Sequence, residues 1–93
     1  MKKITLHAEH MDTKEKLHAY LKQELDFPDY YGENLDALYD CLTDIQEPTT
    51  VSIPHSIEHE EGGLGDYGKM LMRVFCDAAE ANPHLHVKVK GHH

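Results

Sequence analysis

Seven apolar residues, Tyr67, Met70, Leu71, Val74, Phe75, Ala78 and Ala79, recur at i, i+3, i+4, i+7 and i+8, and this register constrains the fold more than any other feature. A stripe so regular predicts an amphipathic helix that must bury one face, and Asn82-Pro83 closes it. Three alternating or β-branched stretches, Lys3 to His7, Thr50 to Ile53 and Leu85 to Lys90, read as strands. Between the first two, Asp12 and Thr13 can cap a helix carrying Leu17, Tyr20, Leu21 and Leu25 on one face, with Asp12 and Glu15 in capping-box spacing and Pro28 ending it. A further helix is predicted from Glu33 or Asn34 to Thr43, capped by Gly32 or Asn34, with Leu35, Leu38, Cys41, Leu42 and Ile45 in one arc. His55 to Glu61 reads as a short helical turn, and Gly62, Gly63, Gly65 and Gly68 read as a flexible surface loop. Strands separated by helices need crossover connections. The expected fold is therefore α/β: a three-stranded parallel sheet packed against three main helices plus a short helical turn.

Ninety-three residues suffice for one domain with a modest core, placed here at residues 1–90. Gly91-His92-His93 is read as a native tail or a tag remnant and left out of the functional argument. The formal charge of −8 argues against general affinity for nucleic acid or anionic membrane, both of which need surplus Lys and Arg. Nine histidines would erase much of that field near pH 5. Cys41 and Cys76 are too few for a disulfide scaffold and read as free thiols in a reducing compartment. With no signal peptide and no apolar run of spanning length, the expected location is the cytoplasm.

The charge is unevenly placed. Between Lys22 and Lys69 lie forty-six residues with no lysine or arginine and twelve of the seventeen acids. On the predicted second helix, Asp36, Asp40 and, if it continues, Asp44 fall opposite the apolar arc. Like charges at i, i+4 cost a helix roughly 0.2–0.5 kcal/mol per pair. Asp36, in the first turn, meets the positive end of the helix dipole; Asp40 has no such compensation. A solvated polar face would account for the helix taken alone. The adjacent Tyr30 and Tyr31 are the aromatic anchors that a protein-binding surface would add, and Gly32 is expected to take a positive φ that fixes their direction.

The segment from Leu21 to Thr43, above all Tyr30-Tyr31-Gly32-Glu33-Asn34-Leu35-Asp36-Ala37-Leu38 followed by Asp40-Cys41-Leu42-Thr43, resembles the barstar family of ribonuclease inhibitors. The likeness is dense over some twenty-three residues and weaker around Val74-Phe75-Cys76-Asp77. It implies a barstar-like fold whose second helix and preceding loop plug the active site of a basic microbial ribonuclease of the barnase type. Carried over by position, Asp40 would take the scissile-phosphate site, facing the enzyme's Arg, Lys and His groups, and Asp36 would add a second acidic contact. Tyr30 would lie against the catalytic base, with Gly32, Asn34 and Leu35 completing the loop contact. Tyr31, Ala37, Leu38, Tyr39, Thr43 and Asp44 are counted on the same surface. Asp77 aligns with a glutamate that reaches an enzyme arginine, although Arg73, four residues earlier, could pair with it instead.

Departures from the family pattern imply a partner whose rim differs. Tyr39 stands for a tryptophan, Asp44-Ile45 for a glycine–tryptophan pair, and Cys76 for an arginine. The alternative is an acidic binding module on the same fold for another basic protein, a different toxin or a nucleic-acid-binding protein. His55 with His59 and His84 with His86 lack a third ligand at informative spacing, and Asp36 and Asp40, weighed as a Mg²⁺ or general acid/base pair, should be exposed and not held in an apolar cleft, so no metal and no cofactor is expected. No nucleophile elbow, phosphate loop or Cys–His arrangement points to an enzyme, and a monomer is expected.

Overall fold

The computed structural model describes residues 2–58 and 64–90. Strand β1 (Lys2–Thr5) leads through a 3₁₀ turn (Ala8–His10) into helix α1 (Lys14–Leu25) and helix α2 (Leu35–Thr43). Strand β2 (Thr49–Pro54) follows, then a 3₁₀ turn (His55–Glu58), helix α3 (Asp66–Ala81) and strand β3 (Leu85–Lys90). The sheet order is β1-β2-β3, parallel throughout, pairing Lys2 with Thr49 and Thr49 with Leu85. The expected three-stranded parallel sheet with three helices is what forms. The first 3₁₀ turn was not foreseen, the second ends at Glu58, and His59 to Glu61 lie outside the described residues.

Period-2 burial makes β2 the floor of the core. Thr49, Val51 and Ile53 are buried while Thr50, Ser52 and Pro54 are half-covered. Ile4, Leu6 and Leu85 join this face, and Leu17, Leu21, Leu38, Leu42, Leu71 and Phe75 cover it from the three helices. No helix among the described residues is long and apolar enough to cross a membrane.

Local chemistry sets the helix ends. Thr13 caps α1 by accepting the Lys16 N–H at 3.1 Å, while Asp12 forms an exposed ion pair with Lys16 at 3.4 Å. The helix ends before Pro28, at Asp26, whose φ of 57° is left-handed. In α3 the buried stripe is centred on Gly68, Leu71, Met72, Phe75 and Ala78. Met70, expected in the core, is 50 % exposed, and Met72 takes its place. Gly68 corrects the surface-loop expectation: it is buried within α3, where its backbone lies against the carbonyl of Ile57. That close approach rotates the helix away from the register that side-chain hydrophobicity alone predicted. Gly65, also buried, takes a φ of 58° at the N-cap of α3; Gly62 and Gly63 lie outside the described residues.

Candidate functional site

Helix α2 is amphipathic as its periodicity requires. Leu38 and Leu42 are fully buried, Leu35, Ala37 and Cys41 are half-buried, and Asp36 and Asp40 stand exposed on the other side. Asp44 is exposed at the C-cap, where φ −92° and ψ −1° leave the helix ending at Thr43. Thr43, half-buried, turns its hydroxyl back to donate to the Asp40 carbonyl at 3.0 Å. Among the described residues, Asp36, Asp40 and Asp44 enter no salt bridge; the ion pairs are the exposed Asp12–Lys16 and, at 3.7 Å, that of half-buried Lys22 with Asp29. Asp36 benefits from the helix dipole, but Asp40 and Asp44 crowd the negative end, which holds no basic residue in its last turn. Each such misplacement costs about 0.3–1 kcal/mol at a surface.

What fixes the end of α2 is Asn82, a buried side chain whose amide donates to the carbonyls of Leu42 at 2.9 Å and Ile45 at 3.0 Å. Its own oxygen accepts the His84 N–H at 2.9 Å. Sequence reading gave Asn82 only the role of helix stop. At the other end Asn34 is the N-cap: its oxygen accepts the Ala37 N–H at 2.8 Å and its amide donates to the Gly32 carbonyl at 3.2 Å.

The lead-in loop corrects one expectation. Gly32 does not carry the positive φ; Glu33 does, at 54°. A β-carbon at Gly32 would fit closely, 3.3 Å from the Asn34 amide nitrogen and 3.4 Å from the Ala37 β-carbon. A left-handed glutamate is strained by about 1 kcal/mol, and such strain concentrates where a loop has a task.

The two tyrosines separate completely. Tyr30 is 87 % exposed, whereas Tyr31 is 6 % exposed and packs on Phe27 with ring centroids 4.9 Å apart. Tyr31 and Leu38 therefore leave the set of side chains that could touch a partner. Tyr39 is 37 % exposed and Asp77 is exposed. Arg73 and Asp77 form no ion pair among the described residues, so Asp77 is not tied up along α3.

Between the loop and the C-terminal half of α2 runs an open groove of about 690 Å³. The loop contributes Asp26, Phe27, Pro28 and Tyr30, and α2 with its exit contributes Asp40, Cys41, Asp44 and Ile45. Lys2 is the one cation among the residues that line it. Burial first, then the charges of Asp40 and Asp44, pushes the Cys41 thiol pKa up, so it stays protonated and poorly nucleophilic. The chemistry available here is recognition of positive charge: carboxylates, an exposed phenol and an apolar floor.

Comparison with known proteins adds two findings. The family model described as Barstar (barnase inhibitor) matches residues 1–90. The "Putative ribonuclease inhibitor YrdF" of Bacillus subtilis (strain 168) is 40 % identical over 80 residues, spanning 86 % of this chain and 88 % of that protein.

Proposed function

The chain belongs to the barstar family, and we propose that it is an inhibitor of a basic, barnase-type ribonuclease that blocks the active site with α2 and the loop before it. One observation carries the reading: Asp36, Asp40 and Asp44 are displayed on an exposed face and, among the described residues, none of them is held in a salt bridge. A ribonuclease must build an electropositive pocket to hold phosphate and stabilise its transition state. Carboxylates fixed on a helix can occupy that pocket in place of the substrate's anion, through charge-assisted hydrogen bonds.

Asp40 is the leading anchor, because it lines the groove beside Tyr30 and gains nothing from the helix dipole where it stands. Tyr30 supplies the apolar contact, and Asp36, Asn34, Gly32 and Leu35 support it. Asp44, Tyr39 and Asp77 lie where this chain departs from the family pattern and set the fit to the partner's rim. Loop and helix are fixed before the encounter, so little ordering entropy is lost on binding. The acidic field steers the approach of a basic enzyme. The protein has no turnover of its own and acts inside the producing cell, as a monomer, on an enzyme made for export. A different basic protein on the same surface is the second reading, favoured by the departures at Tyr39 and Asp44-Ile45.

The test is a titration of barnase activity by the wild type and by Asp40→Ala. Wild type is expected to inhibit, and Asp40→Ala to weaken inhibition at least a hundredfold, the loss of one buried charge-assisted contact of about 3 kcal/mol. Equal inhibition by a correctly folded Asp40→Ala would remove the phosphate-mimic role. No inhibition by the wild type, with capture of some other basic protein from the producing cell, would favour the second reading.

A further inference from the structure

His18 is 2 % exposed, yet polar, and it lies in the apolar face of α1 between Leu17 and Leu21. Its Nδ1 is 2.7 Å from the Tyr31 hydroxyl and its Nε2 is 2.7 Å from the Tyr67 hydroxyl. Both ring nitrogens are thus engaged, one with the loop that leads into α2 and one with the first turn of α3. A neutral imidazole has one N–H and one bare nitrogen, so one phenol accepts from the ring and the other donates to it. The imidazole ring also stands tilted to the Tyr31 ring at 5.8 Å and edge-on to the Tyr67 ring at 6.1 Å between centroids. On the far side, Lys14 lies 4.7 Å over the Tyr67 ring. Burial raises the pKa of both tyrosines, so both hydroxyls remain protonated over the whole physiological range.

We propose that His18 is a positioning residue for partner binding: by pinning Tyr31 inward it turns the adjacent Tyr30 outward and fixes the loop from which α2 presents its carboxylates. The geometry gives the reason. The two adjacent side chains divide between core and solvent, with 6 % exposure at Tyr31 beside 87 % at Tyr30. The loop backbone has few fasteners of its own, among them the Tyr31 N–H to the Pro28 carbonyl at 3.0 Å and the Asn34 amide to Gly32. Glu33 holds a left-handed φ between them, a conformation that relaxes unless its neighbours are held. The His18–Tyr31 bond joins this strained loop to the core, across thirteen residues of chain.

The choice of binding assay rests on the inhibitor reading; the loop measurement does not. Amide hydrogen exchange is followed at residues 30–34 in the wild type, His18→Leu, Tyr31→Phe, their double variant and His18→Gln. Dissociation of each from barnase is measured in parallel. His18→Leu and Tyr31→Phe are each expected to speed loop exchange and barnase dissociation about fivefold to tenfold, the loss of one net buried hydrogen bond. The double variant should be no worse than His18→Leu, because both act through one contact. His18→Gln, which offers one donor and one acceptor, should recover most of the loss and also serves if His18→Leu does not fold. Loop exchange and dissociation at wild-type rates, with only global stability lowered, would overturn the proposal. So would full additivity in the double variant. If wild type does not bind barnase, the inhibitor reading fails by itself, and loop exchange still decides the role of His18.

Discussion

Gly68 sits in the first turn of α3, and a β-carbon built on it would lie 2.0 Å from the Ile57 carbonyl oxygen, 2.7 Å from its carbon and 3.2 Å from the Glu58 α-carbon. Alanine in place of glycine should stabilise a helix interior by up to about 1 kcal/mol. Here the new methyl would meet backbone that cannot rotate aside. An ordinary carbon–oxygen contact is about 3.3 Å, so the overlap exceeds roughly 1 Å. Overpacking of this kind costs about 1–3 kcal/mol, and relief by sliding the first turn outward has its own cost. That turn carries Tyr67, bonded to His18, and it neighbours the Leu64 N–H bond to Ile57 at 2.8 Å. Losing one of these adds about 1 kcal/mol. The clash wins over propensity, and Gly68→Ala should destabilise the protein by about 2–3 kcal/mol. For a chain of this size that corresponds to a drop of about 10–20 °C in Tm, read by thermal and urea unfolding followed by circular dichroism. A Tm unchanged or raised would mean that α3 does not rest on the Ile57 carbonyl and that helix propensity decides the site.

Other expectations follow from single residues. Asn82→Ala removes the donors to the Leu42 and Ile45 carbonyls and the acceptor of the His84 N–H, and should cost about 2–4 kcal/mol in urea unfolding; a midpoint that barely moves would show that the end of α2 is held otherwise. Asp26→Gly relieves a left-handed φ at the end of α1 and should stabilise by about 0.5–1 kcal/mol, which a lowered Tm would contradict. Burial lowers the His18 pKa below its ordinary 6.5, an effect that the Glu33 charge partly offsets. The folded state therefore binds this proton less readily than the unfolded chain. The neutral ring's contribution is complete above about pH 6.5 and is lost as pH falls from there toward the lowered folded value, by at most about 1.4 kcal/mol per pH unit. The difference in unfolding free energy between wild type and His18→Gln, measured from pH 7.5 to 5.5, isolates this term from the other histidines. A difference that does not vary with pH would refute it.

The elements and the acidic face were legible in the sequence because they depend on local chemistry. A helical period places Leu38 and Leu42 opposite Asp36 and Asp40 whatever the helix packs on, and Asn34 caps α2 with atoms only three residues away. Alternation made β2 a strand with one buried face, and strands separated by helices left parallel pairing as the outcome. Apolar periodicity fixes a helix face only to within a turn of the wheel, however. Whether Met70 or Met72 enters the core was decided by the Ile57 carbonyl, which admits nothing larger than the hydrogen of Gly68. The left-handed φ falls on Glu33 and not on Gly32, beside the Asn34 side chain that folds back onto the Gly32 carbonyl.

His18 and Asn82 were missed for a related reason. Each is a polar residue whose partners lie far along the chain, thirteen and forty-nine residues from His18, forty and thirty-seven from Asn82. Sequence by itself determined that this chain would show aspartates on one exposed helix face. Tertiary structure decided how firmly that face is held and which tyrosine accompanies it, since a buried hydrogen bond exists only once distant segments have excluded water from around it.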